Sequence, residues 1–523
     1  MNMTMGNIAR LSAALAAVMM VPAFEGFAQA PSRNAAPAGK TAAQKYVELV
    51  AQNDVLKNSL FGVCARTEGG RTLVSWNSGK RMLPASNMKL ISTGAALHQL
   101  GADFKFETRI GYNGSVENGV LHGDVYIVGG GDPTIASKDS IAIPRFMLMG
   151  KWKAMLDKAG IKKIDGRIIG DGRYFDGPAE KDTWSYQDIG TAYGTGGDGL
   201  CFYENAQDFS VSAGAKEGDA VNISVKFPST PWMKYSYDCT TAGAGTGDQL
   251  YMFASEYIPF AQVRGTFAVD RKPKTEEFSN KFGAYTCAFY FKNYLATHGI
   301  EVTGGPADIL KGRIRENLSM QEFNEYAAKV DDLKILGSTY SPQLSKIIKE
   351  TNHDSDNFYA ETCLRILGRR MRHSACYDSS YVALNEVLTK LGASPEEVQI
   401  EDGSGLSRRN YVSPEYFVSF LSEMMESPVF GEYVASLPQP GKGTLSSRLR
   451  GESGELKDRI FMKSGSMNGI LCFSGYIVPS EGSKDDAIIF SIMTNNVLTK
   501  SSQVGAIADR ILTLLATETV TGK

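Results

Sequence analysis

Ser86-Asn87-Met88-Lys89 is the one Ser-x-x-Lys in the chain. A hydroxyl three residues before an amine is a nucleophile with a base in reach. The apolar-rich run from Met88 to Leu100, ended by Gly101, predicts a helix that Ser86 opens. Unpaired N–H groups and the dipole at a helix start favour developing negative charge, and Lys89 lies on nearly the same face. An ordinary cap and a solvated lysine would look the same. Two further segments weigh against that bland reading. His353-Asp354-Ser355-Asp356-Asn357 opens a second predicted helix with a hydroxyl and an amide. Arg459-Ile460-Phe461-Met462-Lys463-Ser464-Gly465-Ser466 is strand-like, with a second amine among apolar residues and then small residues only. A nucleophile, a base, a hydroxyl, an amide and a cation suit acyl transfer.

Other chemistries find little support. There is no GxxxxGK[ST], HExxH or GxSxG, and Gly194 to Gly199 matches GxGxxG without a preceding strand, so it is read as a loop. Seven cysteines follow no CxxC or Cys/His spacing, so no metal or cofactor is expected; disulfide pairing is left open, and the odd count leaves at least one thiol free. Fifty-five Lys and Arg against 57 Asp and Glu give a formal charge of −2 without a basic block, which excludes a typical nucleic-acid binder.

The elements that must position these residues lie at both ends of the 523-residue chain. Residues 42–53 have helical spacing, and Leu60–Arg66 and Arg71–Trp76 read as a hairpin around Glu68-Gly69-Gly70. Arg459–Lys463, Ile470–Val478 and Asp486–Thr494 read as three closing strands. The last helix, Gln503–Thr517, carries Val504, Ile507, Ile511, Leu512 and Leu515 on one stripe. Together they predict one antiparallel sheet with the terminal helices packed together. Residues from about 105 to 327 are rich in Gly, Thr and Asp with short β-branched runs, and read as mostly β modules inserted into that domain. Helical spacing returns over 335–425.

Arg10, the apolar run Leu11 to Phe24 and Phe27-Ala28-Gln29-Ala30 describe a secretory signal peptide over 1–30. No other stretch is apolar enough to span a bilayer. A periplasmic or otherwise extracytoplasmic protein without a transmembrane anchor is expected.

Ser-x-x-Lys, Ser-Asp-Asn and Lys-[Thr/Ser]-Gly are together similar to the three signatures of penicillin-recognising serine enzymes. The chain most resembles the type 4 penicillin-binding proteins, the D-alanyl-D-alanine carboxypeptidase/endopeptidases of peptidase family S13. Gly129-Gly130-Gly131-Asp132-Pro133-Thr134, Asp402-Gly403-Ser404-Gly405-Leu406-Ser407-Arg408, and Leu437-Pro438 before Gly443-Thr444-Leu445 resemble its recurrent blocks. So does the long insertion between Ser86 and Ser355. The resemblance spans about 42 to 518. It implies an α+β fold: a transpeptidase/β-lactamase-like domain, 31–104 plus 328–523, with an antiparallel five-stranded sheet flanked by helices. It also implies an inserted region, 105–327, of two small domains, drawn at about 105–135 plus 228–327, and 136–227.

The implied activity is removal of terminal D-Ala from peptidoglycan peptides, with room for cleavage of D-Ala crosslinks, and acylation by β-lactams. Ser86 would be the nucleophile and Lys89 its base. An unperturbed lysine titrates near 10.4, so bringing it near 7 takes roughly 4 kcal/mol from desolvation and a neighbouring cation, for which Lys463 is the candidate. Lys463 would also hold the substrate carboxylate and, with Ser355, relay the proton to the leaving amine. Asn357 would fix the peptide backbone. The resemblance places the oxyanion hole at the N–H groups of Ser86 and Ser466, beside Gly465, and the terminal carboxylate on Ser464, where the family usually has Thr. Arg408 and Asp171 resemble positions that read the third peptide residue. A β-lactamase would carry a Glu on a loop between the second and third motifs and would lack the insertion. A non-catalytic wall-binding module would have no reason to keep Ser86, Lys89, Ser355 and Asn357.

Overall fold

The computed structural model describes residues 39–309, 332–480 and 483–518; the expected signal peptide lies outside them. Strands Ile460–Met467, Ile470–Ile477, Ile488–Asn495, Leu60–Thr67 and Thr72–Trp76 form, in that spatial order, a five-stranded antiparallel sheet. Both ends of the chain thus meet in one sheet, with the Lys463 strand on its edge. Alternate residues face opposite cores. Val63, Ala65, Phe490 and Ile492 join helices Ala42–Val50 and Ser501–Ala516 on one side. Cys64, Ile489 and Met493 join the helices of the Ser86 side on the other. Burial on both faces explains why these strands read as nearly continuous apolar runs. The stripe on Ser501–Ala516 is buried in the first of these cores.

Helix Met88–Leu100 ends at Gly101, whose φ of 84° suits a residue without Cβ. Around it pack Leu344–Asp354, Asn357–Arg372 and Tyr377–Leu391. All seven cysteines are free thiols, and all but Cys376 are buried.

The sheets divide the inserted region differently from the expected boundaries. Glu107–Tyr112, Val125–Val128, Ile168–Asp171, Pro306–Ile309 and Lys334–Tyr340 share a second five-stranded sheet. Residues 163–171 therefore pair with 120–128 rather than beginning a separate domain at 136. The strand at 334–340 carries this region past the expected end at 327. The nested outer part spans Ala206 to Ser279, with two three-stranded sheets around Phe209, Val263 and Phe278. The run at 120–128 is two strands in two sheets, broken at Gly123. Helices Arg145–Lys158 and Gly283–Thr297 make the inner part mixed α and β rather than mostly β. Local patterning cannot reveal which distant strands pair, and that choice decides domain limits here.

Buried Arg365 ties the insertion to the Asn357 helix. Its Nε donates to the Ala375 carbonyl at 2.9 Å, and its two terminal nitrogens donate to the Gly197 carbonyl at 2.5 Å and the Asp176 carbonyl at 2.7 Å. Arg365→Met strands three buried carbonyls and is expected to cost about 3–5 kcal/mol in urea denaturation. A change under about 1 kcal/mol would contradict that role.

Candidate active site

Ser86 lies in a single 3₁₀ turn, Ala85–Asn87, that runs straight into helix Met88–Leu100. Ala85 has φ 47°, an uncommon conformation for a non-glycine residue and a mark of functional turns. Gly405 explains how the turn fits, because a Cβ there would stand 1.8 Å from the Ala85 carbonyl oxygen. Ser355 is also left-handed, at φ 61° and ψ 37°. It ends helix Leu344–Asp354, and Asp356 caps the next helix by accepting from the Tyr359 N–H at 2.6 Å. This break between helices leaves the Ser355 hydroxyl facing the edge strand.

Lys89 is fully buried. Its Nζ lies 3.0 Å from Ser86 Oγ, 2.6 Å from Asn357 Oδ1 and 2.9 Å from the Ser404 carbonyl oxygen. The amide orientation of Asn357 is fixed by its Nδ2, which donates to the Tyr193 carbonyl at 2.9 Å. Two of the three partners of Nζ are therefore pure acceptors. A neutral amine donates its two hydrogens to them and turns its lone pair to the Ser86 hydroxyl. Burial lowers the Lys89 pKa to about 8, against the pull of Asp356, Asp402 and Glu361.

Lys463, also fully buried, donates to Ser355 Oγ at 3.0 Å and to the Ser464 carbonyl at 2.8 Å. Burial first, and the nearby Lys89 second, push its pKa well below the ordinary lysine value. Ser464 Oγ donates to Thr444 Oγ1 at 3.0 Å. Gly465 brings the edge strand against the Ser86 turn, and the next residue, Ser466, is exposed. An edge strand has backbone groups free of ladder partners, which suits it to hold an extended peptide. The cleft in front of Ser86 holds about 520 Å³ and is lined by Ser86, Ser355, Ser464 and Ser466, among others.

Ser86, Lys89 and Asn357 thus form one hydrogen-bonded set and Ser355 and Lys463 a second, and Ser86 and Ser355 line the same cleft. Asp171 belongs to neither set. Its carboxylate is engaged by Arg173, accepting from Nε at 3.0 Å and from the backbone N–H at 3.1 Å. Exposed Arg408 acts electrostatically on Asp188 and Tyr193.

Several contributors were not singled out from the sequence. Glu361, fully buried and raised to about 7 by burial and then by Asp402, accepts from the N–H groups of Ser404 at 2.8 Å and Gly403 at 3.2 Å. Asp402 accepts from the Gly405 and Ser407 N–H groups and from Trp184 Nε1 at 2.8 Å. These two carboxylates shape the loop whose Ser404 carbonyl holds Lys89. The signal was the Asp-Gly-Ser-Gly turn chemistry, but its partners come from distant segments. Among the described residues, no cluster of His, Cys, Asp and Glu could hold a metal ion, and no helix is long and apolar enough to cross a membrane.

Comparison with known proteins shows the family. A model of the D-Ala-D-Ala carboxypeptidase 3 (S13) family matches residues 43–517. The chain belongs to that family. It is 28% identical over 506 residues to the D-alanyl-D-alanine carboxypeptidase of Actinomadura sp. (strain R39), covering 93% of this chain and 87% of that protein. It is 25% identical over 426 residues to D-alanyl-D-alanine carboxypeptidase DacB of Haemophilus influenzae, covering 79% and 81%. The crystal structure of penicillin-binding protein 4 from H. influenzae shares the fold, with TM-score 0.73 and 22% identity, covering 90% of this chain and 99% of that one.

Proposed function

We propose that this protein is an exported serine DD-peptidase, acting outside the cytoplasm on peptidoglycan peptides and acylated by β-lactams. Ser86 Oγ attacks the carbonyl of the penultimate D-Ala while Lys89 takes its proton. The C–N bond then breaks as that proton is relayed from Lys89 through the Ser355–Lys463 pair to the departing amine of the terminal residue, which leaves Lys89 neutral again. Water, activated by the same base, hydrolyses the acyl-enzyme and releases the shortened peptide. The backbone N–H groups of Ser86 and Ser466 hold the oxyanion, a contribution of about 3 kcal/mol per donor in comparable sites. Asn357 holds the peptide backbone and Arg408 faces the third peptide residue. Crosslinks made through D-Ala present the same bond to Ser86, so endopeptidase activity follows from the same machinery. The observation that carries this reading is the buried Lys89 amine, 3.0 Å from Ser86 Oγ with its other two partners pure acceptors.

Release of D-alanine from a peptide ending in D-Ala-D-Ala tests it, measured as kcat/KM across pH. The free-base fraction of Lys89 grows as pH rises through about 8, so kcat/KM is expected to climb through that region and level off above it. A flat profile from pH 6 to 9.5 would contradict lysine as base. The same group affects stability. Unfolded chains hold this proton up to about 10.4, so the burial penalty is full below pH 8 and is relieved between about 8 and 10.4.

A further inference from the structure

Residues 183–193 form a loop that leaves the catalytic side of the molecule and returns to it. At one root the Ser407 hydroxyl donates to Thr183 Oγ1 at 2.7 Å, and Trp184 Nε1 donates to Asp402 at 2.8 Å. At the other root the Tyr193 carbonyl accepts from Asn357 Nδ2. Between them Gly190 passes against strand Tyr251–Ala254, where a Cβ would stand 1.6 Å from the Met252 carbonyl oxygen. The next residue of that strand, Phe253, meets Tyr186, with ring centroids 4.7 Å apart and planes 21° from parallel. Tyr186 is nonetheless 71% exposed. The loop therefore joins the catalytic site to the nested outer part through an aromatic pair that faces water.

The outer sheet presents the rest of that face. Strand Tyr251–Ala254 pairs with Phe260–Ala268, which pairs with Lys234–Ala242. Met252, Val263 and Cys239 turn inward to the nested core. By alternation the opposite face carries Tyr251 and Phe253, Gln262 and Arg264, and Asp238 across the three strands. Tyr251 meets Phe253 edge-on at 5.3 Å, and the Arg264 guanidinium carbon lies 5.5 Å from the Phe253 centroid. An exposed aromatic patch rimmed by polar groups marks an interaction site. Asp238 stands opposite Arg264, so the two charges offset each other and the face is not built to draw a polyion. Flat rings edged by an amide, a guanidinium and a carboxylate match a sugar instead. The C–H face of a pyranose lies on an aromatic ring, while its hydroxyl and acetamido groups bond to planar polar side chains.

The place of the loop says which sugar. Arg408 follows Ser407 at the first root and faces the third peptide residue in the reading above. From there the peptide runs on toward its glycan, and its four residues before the scissile bond span about 14 Å. Turns close between Ser185 and Asp188, Asp188 and Thr191, and Thr191 and Gly194. Each is under about 7 Å across, which keeps Tyr186 within roughly 20 Å of Tyr193. We infer that the face of Tyr186 and Phe253 binds the amino-sugar strand bearing the peptide under attack, and so directs the enzyme to polymeric wall material. The inference rests on the DD-peptidase reading above.

The test compares kcat/KM on a free peptide ending in D-Ala-D-Ala and on the same peptide carried by short glycan strands. The unmodified protein should favour the glycan-borne peptide about tenfold, through KM. Tyr186→Ala should bring the two substrates within about twofold by raising KM for the glycan-borne one, and Tyr186→Phe, which keeps the ring, should retain the preference. Phe146→Ala, which removes another exposed aromatic on helix Arg145–Lys158, should leave the preference intact. Peptide-free glycan strands should retard the unmodified protein in affinity electrophoresis but not Tyr186→Ala. Equal rates on both substrates in the unmodified protein, or an undiminished preference in Tyr186→Ala, would overturn the inference. Hydrolysis of neither substrate, with retardation by glycan intact, would remove the DD-peptidase reading and leave the sugar-binding face standing.

Discussion

Lys89→Met is expected to slow acylation of Ser86 by about 10³-fold or more, near the upper end for loss of a general base. Methionine fills nearly the same buried channel but offers no lone pair, and nothing else replaces it. Within the cluster, the remaining partners of Ser86 are the Lys89 amine itself and the backbone of its own turn. The Asn357 Oδ1 and the Ser404 carbonyl, now without their donor, are too weakly basic to take a hydroxyl proton. Stopped-time mass spectrometry with benzylpenicillin would measure the rate, and circular dichroism would confirm the fold. Lys89→Arg should fare no better, because a guanidinium keeps its proton. Activity within tenfold of the unmodified protein would place the base elsewhere.

Gly465→Ala is expected to lower kcat/KM by about 10²-fold through geometry alone. A methyl group there would stand 2.6 Å from the Pro84 carbonyl oxygen, 2.8 Å from the Asn87 nitrogen and 2.9 Å from the Ser86 nitrogen. All three are backbone atoms, so no side chain can rotate out of the way. Either the edge strand Ile460–Met467 or the nucleophile turn must retreat, and both carry the proposed oxyanion donors. The stability cost should stay near 1–3 kcal/mol, as for other overpacked sites. Loss of activity far beyond the loss of stability is therefore the signature to look for in paired kinetic and denaturation measurements. A variant with full activity would show that the strand and the turn do not need this contact.

How much of this was legible beforehand follows from the range of each interaction. Helix Met88–Leu100 and its stop at Gly101 were plain, because an apolar run and a terminating glycine are local signals. The hairpin and the closing strands were also plain, and the chain's two ends meeting in one sheet followed from them. The five residues now clustered around Ser86 were legible as three short motifs. The rest was hidden because backbone atoms do the work: the Ser404 and Tyr193 carbonyls carry no residue-type signature. Asp171 was named for its resemblance to a family position, and its local bond to Arg173, two residues on, was not legible in the sequence. Pairing of 163–171 with 120–128 needed the three-dimensional order of strands that alternation cannot supply.

The most direct measurement is intact mass over time after mixing the purified protein with benzylpenicillin, with Ser86→Ala alongside. A long-lived adduct of one penicillin on the unmodified protein, absent from Ser86→Ala, is the predicted result. An adduct that persists in Ser86→Ala, or none at any time on folded protein, would contradict Ser86 as the nucleophile.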